Sequence, residues 1–189
     1  AWDWSHCLPV FMQHEDHWRG AGPLHGEGGE WRIERPRVRW DLLDAFAQAA
    51  QQAGIPASDD FNTGHNLGVG YFEVNQRRGV RWNASKAFLR PALGRPNLTV
   101  WTGAQVSRLR LQRQGDGSLH CDGIELLPAP GRPRVVRATR GVVMAAGAVA
   151  TPQLMQLSGL GPAALLQAHG IEPLLDLPGV GENLQDHLQ

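Results

Sequence analysis

The chain has 189 residues, 42% hydrophobic and 19% charged, with 18 basic and 18 acidic side chains and a formal net charge of zero. That length supports one or two modest domains with a core, and the even charge leaves no basic field for nucleic acid. Arginines are scattered and Lys86 is the sole lysine. No apolar run approaches the length of a membrane span, and AWDWSHCLPV lacks the basic start and apolar centre of a signal peptide. Cys7 and Cys121 stand far apart without a CxxC, which excludes a disulfide framework and a zinc knuckle and suits a reducing compartment.

Residues 1–40 are rich in Trp, His and Gly and show little periodicity. WDWSHCLPVF reads as a helix or loop that continues something before it, so a segment of a longer protein is expected. HEDHW (14–18) sets His14 and His17 three apart, one short of HExxH. A solvated polar segment is the expected reading there, and no metal ligand set is assigned. HGEGGEW (25–31) is loop chemistry. DLLDAFAQAAQQAG (41–54) predicts a helix with an apolar stripe of Leu42, Leu43, Phe46, Ala49, Ala50 and Ala53, closed by Gly54. A polar loop follows. YFEVNQ (71–76) alternates as a strand and RRG can turn. NASKAFL (83–89) predicts a short helix capped by Asn83 and ended by Pro91.

From Asn97 the pattern is β-rich. NLTVWT, VSRLRLQ (with Val106, Leu109 and Leu111 alternating), LHCDGIELL and RVVRAT predict a meander turning at QGDGS. VVMAA (142–146) is short and wholly apolar, as a doubly buried strand is. TPQLMQLSG and PAALLQAHG read as helices, and LDLPGVGENLQDH as a loop. The fold class expected is therefore mixed α/β.

GAVATPQLMQLSGLG (147–161) is the motif that points to chemistry. Thr151 can cap a helix that Pro152 begins, and such an N-terminus offers N–H groups to an anion. Ala146, Gly147 and Ala148 remove side-chain bulk beside it. The same residues also suit a plain strand-to-helix turn, and spacing leaves both readings open. GLGPAA (159–164) fits a loose G-x-G-x-x-A but follows a helix instead of a strand, so it is no phosphate loop. Ser85, Ser107, Ser118 and Ser158 sit in no nucleophile elbow. His187 beside Asp186 fits a site residue or a structural pair equally. No catalytic set can be assembled from this chain.

Taken together, GAVATPQLMQLSGLG, LPGVGENLQDH (177–187), RGVRWNASKAFLRPALGRPNLTVWTGAQVSRL (78–109), DAFAQAAQQAGIPASDDFN and WDWSHCLPVFMQHEDHW resemble the glucose–methanol–choline (GMC) oxidoreductases, FAD-dependent alcohol oxidases and dehydrogenases, and within them the choline dehydrogenase-like members. The resemblance covers essentially the whole chain. Asn75 and the pair Trp82-Asn83 depart from the residues common in relatives. The resemblance implies a partial Rossmann-like FAD-binding domain with a β meander (mainly 96–189) and part of a substrate-binding domain (mainly 1–95), both incomplete. It implies that the dinucleotide fingerprint precedes Ala1 and the catalytic His follows Gln189, so this chain alone is expected to be inactive. It implies FAD as cofactor, with Ala146, Gly147 and Ala148 against the dinucleotide and the Val106 backbone against the adenine. It implies a small-molecule primary alcohol as substrate and hydride transfer to flavin, in a cytoplasmic protein with membrane association left open for the full length. The electron acceptor, the oligomeric state and the particular alcohol are not set by this segment. Two alternatives are an FAD-binding lyase of the same family and a non-catalytic fragment.

Overall fold

A computed structural model describes residues 2–131 and 134–187. The chain divides into two compact units, Ala1–Val100 and Trp101–Gln189.

In the first unit, helix α1 (Trp4–His14) is opened by Asp3, whose carboxylate accepts the His6 N–H at 3.1 Å. Strand β1 (Glu15–His17) leaves its end directly and pairs in parallel with β2 (Trp31–Ile33). The glycines of the loop between them have a steric cause. A Cβ on Gly26 would fall on the Met12 carbonyl, and one on Gly29 on the His14 carbonyl. The loop backbone therefore lies directly against the last turn of α1, where only glycine fits.

Helix α2 (Asp41–Gln52) forms where its periodicity predicts, with Gly54 at φ +90° just beyond it. The face it buries differs from expectation. Leu42 is 78% exposed and Phe46 65%, while Asp44, Ala47 and Ala50 are half-buried. The helix is held through that second face, where the Tyr71 hydroxyl donates to Asp44 at 3.0 Å.

The strand expected at 71–76 shrinks to β3 (Gln76–Arg77), paired with β4 (Val80–Arg81), after a single bridge between Glu34 and Val74. Arg78 (φ +54°) and Gly79 (φ +81°) make the tight turn that RRG predicted. The helix at 83–89 also differs. Asn83 caps it, its side chain accepting the Lys86 N–H at 3.1 Å, but Pro91 does not end it. Residues Ser85–Leu89 widen into a π-turn, with the Arg90 N–H bonded to the Ser85 carbonyl, and α3 (Arg90–Ala92) continues. The wider turn makes room for a ring that would otherwise clash with the preceding carbonyls.

In the second unit, β5 (Val106–Arg113), β6 (Leu119–Leu126) and β7 (Val135–Arg137) form the predicted antiparallel meander in the order β5-β6-β7. Leu109 and Leu126 fill its core, and Leu166 is buried in the same unit. Helix α4 (Gly147–Leu157), β8 (Leu160–Gly161), α5 (Ala163–Ala168) and β9 (Leu175–Asp176) follow, with β8 and β9 parallel. Gly159, at φ +84° with the Glu172 carbonyl against it, ends α4, so GLGPAA is a helix stop, as the sequence indicated.

Two expected strands are absent. Neither NLTVWT nor VVMAA is in a strand, and Val143 is 92% exposed. A strand needs a ladder partner, and among the described residues none pairs with either segment.

Ser158 ties sheet to helix. Its hydroxyl accepts the Leu109 N–H at 2.8 Å and donates to the Leu154 carbonyl at 2.6 Å. Ser158→Ala leaves a buried strand N–H without a partner and is expected to cost about 2 kcal/mol in chemical denaturation.

Candidate functional site

The sequence placed its site residues at the start of α4. Residues 142–146 lie outside any strand and lead into Gly147, which turns at φ +90°, a left-handed conformation that other residues adopt only under strain. The helix opens there, five residues before Pro152, the expected start. Thr151 is inside the helix rather than its cap, though its hydroxyl reaches back to accept the Ala146 N–H at 3.2 Å. Pro152 is likewise interior. It lies near enough to the N-terminus that its missing N–H deprives only the Ala148 carbonyl.

Ala146, Gly147 and Ala148 are all exposed, and a Cβ built on Gly147 meets nothing within 4 Å. The backbone can thus be approached closely on this side. A groove of about 260 Å³ runs alongside, lined by Ala148, Val149, Pro152 and Gln156 of α4 and by Gly181, Glu182 and Leu184. Gln156 fixes the facing loop by donating to the Val180 carbonyl at 3.0 Å. Val106 is half-buried at the start of β5, beside an irregularity in pairing between Val106 and Arg108. The hydrogen bond that joins β5 to α4 is at the other end of the helix, through Ser158. Ala146, Gly147 and Ala148 are consecutive at the start of α4, and Val106 begins β5, which packs against that helix.

The first unit contains a constellation that the sequence reading missed. HEDHW is not a solvated segment: the His17 side chain is fully buried. Its Nε2 lies 2.8 Å from Glu73, and its Nδ1 accepts the Arg19 N–H at 3.4 Å. The His25 ring stacks on it at 4.0 Å, with Nδ1 3.1 Å from Glu15 and Nε2 2.9 Å from Asp60. Trp18 donates to Glu73 at 2.6 Å. The signal available was the pairing of three acids and two imidazoles on segments mostly far apart in sequence, which spacing alone cannot show.

The ligating atoms of Glu15, His17 and His25, and of His17, Asp60 and Glu73, lie close enough together to hold a metal ion. The carboxylates already have partners within the protein. Arg19 is 3.6 Å from Asp60 and 3.5 Å from Glu73, His25 faces the same Asp60 oxygen as Arg19, the Asn62 N–H takes the other, and His17 faces the second Glu73 oxygen. The cluster therefore works as a buried clasp for four segments. Burial pushes the Asp60 carboxyl up, but the Asn62 N–H, His25 and Arg19 outweigh it and hold it below the usual aspartate range. A depressed carboxyl stabilises the fold above its unfolded value, and that contribution is lost as pH falls through the folded one. Thermal stability of the first unit is therefore expected to fall on acidification below about pH 4, with a shallower fall in Asp60→Asn.

The whole chain, residues 1–189, matches the GMC oxidoreductase family. The chain belongs to this family. It is 38% identical over 189 residues to the mitochondrial choline dehydrogenase of Homo sapiens, covering 100% of this chain and 31% of that protein. The structure is similar to pyridoxine 4-oxidase from Mesorbium loti, with a TM-score of 0.86 and 37% identity over 98% of this chain and 36% of that one. It is also similar to an FAD-dependent oxidoreductase from Chaetomium thermophilum, with a TM-score of 0.85 and 27% identity over 98% of this chain and 34% of that one. The chain thus spans about a third of the relatives it matches. The fold class read from the sequence stands: mixed α/β, with a partial Rossmann-like FAD domain and its meander. No helix among the described residues is long and apolar enough to cross a membrane.

Proposed function

We propose that this GMC chain is the central part of an FAD-dependent oxidoreductase that oxidises the CH–OH group of a primary alcohol, choline-like in class. The observation that carries this is the start of α4, an exposed run of three small residues whose glycine is left-handed and faces open space. A dinucleotide needs such a backbone-lined approach, where a larger side chain would occupy its place. We assign Ala146, Gly147 and Ala148 to that contact and the Val106 backbone to the adenine. The second unit, with adjoining residues from 96, is then the flavin-binding portion, and residues 1–95 are the substrate-domain portion.

When bound, FAD supplies the hydride acceptor. The protein's part in this chain is to bind and orient it. The backbone at 146–148 would hold the dinucleotide, and the groove between α4 and residues 181–184 would lie beside it. The relation to choline dehydrogenase supports the substrate class, and the FAD-dependent neighbour supports the cofactor.

The test is anaerobic addition of choline, and then of other primary alcohols, to the purified full-length protein. Loss of the oxidised flavin absorbance is expected with at least one of them. A flavin that stays oxidised with every primary alcohol while the protein turns one over would contradict the oxidoreductase reading.

A further inference from the structure

From Val74 to Val100 the sequence has six cations, Arg77, Arg78, Arg81, Lys86, Arg90 and Arg95, and no Asp or Glu, in a chain that is neutral overall. The fold gathers four of them. The β3–β4 hairpin and the helical segment after it border an open surface cavity of about 650 Å³, lined by Arg77, Arg78, Lys86 and Arg90 together with Val80, Trp82 and Pro91.

Each charge on this lining can be followed. The Arg77 guanidinium lies 5.2 Å from the centre of the Trp82 ring, and the indole is fixed by its donation to the Glu30 carbonyl at 2.8 Å. The Lys86 ammonium donates to the Arg81 carbonyl at 2.7 Å, which leaves its charge uncompensated. The Arg78 and Arg90 side chains are exposed and have no ion pair among the described residues. Glu34 reaches the hairpin, accepting the Arg78 N–H at 3.4 Å, but its carboxylate is committed to Arg32 at 3.4 Å and Arg37 at 3.7 Å.

Like charges gathered on one wall repel each other, and an anion relieves that repulsion. Arg78 adds a second observation. It occupies a left-handed turn position, φ +54°, that favours Asn or Gly. The strain is accepted there, and a cation is set on the lining.

We propose that this cavity binds a small phosphate-bearing molecule with a compact apolar or aromatic body. Guanidinium forks match phosphate oxygens, and several cations match a multiply charged group better than a single carboxylate. Trp82, Val80 and Pro91 form the floor for the body. This site is separate from the assignment of FAD to α4 and does not depend on it.

Pyrophosphate is the probe, titrated calorimetrically into the full-length protein with FAD added, so that any dinucleotide site is filled. Saturable binding is expected, weakening as salt is raised. R78Q/R90Q should lose at least about tenfold in affinity, and R78K/R90K, which keeps the charge but not the fork, should lose less than R78Q/R90Q. Both pairs are on the surface, and an unchanged melting temperature checks their folding. No saturable binding would overturn the proposal. Equal affinity in wild type and R78Q/R90Q would place the ion elsewhere and overturn it too. The same phosphate chemistry is found on lipid headgroups, so sedimentation with phosphatidylglycerol vesicles forms a second arm. Binding to vesicles without binding to pyrophosphate would overturn the small-molecule assignment.

Discussion

Gly26→Ala is expected to destabilise the first unit by about 3 kcal/mol, whereas Gly28→Ala, two residues away, costs about 1 kcal/mol. The contrast comes from two different demands on glycine. Gly28 has φ +77° and open space around it, so an added methyl meets only backbone strain. Gly26 has an ordinary φ, but a methyl there would collide with the Met12 carbonyl in the last turn of α1. Helix backbone cannot move aside as a flexible side chain can, so the loop must move instead. That movement has wider consequences. The Gly26 N–H donates to Glu15 at 2.8 Å, and its carbonyl accepts the His17 N–H at 3.0 Å. Both belong to the buried clasp, and displacing the loop pulls His25 away from Glu15 and Asp60. Polar groups left unpaired in a dry interior cost more than the contacts they lose. Chemical denaturation of the two variants side by side reads the difference, and equal losses would show that the close approach to α1 does not limit the fold.

How much of this was visible beforehand depended on whether the cause was local. The helix at 41–52 was legible because its periodicity and closing Gly54 act within a few residues. The meander was legible because alternation and the QGDGS turn determine it. The RRG turn was legible for the same reason. The π-turn at 85–89 was not, because it arises from how a helix accommodates Pro91 and not from the propensity of its own residues. VVMAA has the composition of a buried strand, but a strand exists only through its ladder, and composition does not name the partner. Thr151-Pro152 looked like a helix start, yet the helix begins sooner, at the left-handed turn of Gly147. The clasp was the largest omission. His17, His25, Asp60 and Glu73 are spread over 57 residues of sequence, and nothing in their spacing brings them together. HEDHW was therefore read as solvated when its second His is among the most buried side chains of the unit. The assignment of residues 146–148 to the cofactor comes from the family resemblance; the geometry adds a left-handed Gly147 with open space beside it.

Ala148→Leu is expected to remove bound flavin with little effect on the fold. Ala148 is exposed in the first turn of α4, and leucine is a good helix former, so apoprotein stability should change by less than about 0.5 kcal/mol. A leucine there would fill space that the proposed cofactor contact needs. The decisive measurement is the flavin-to-protein ratio of full-length Ala148→Leu purified alongside wild type, with melting temperatures of both apoproteins. The account predicts at least about a tenfold loss of bound FAD with an unchanged apoprotein melting temperature. A variant that keeps the wild-type flavin ratio would contradict the claim that the start of α4 lies against the cofactor.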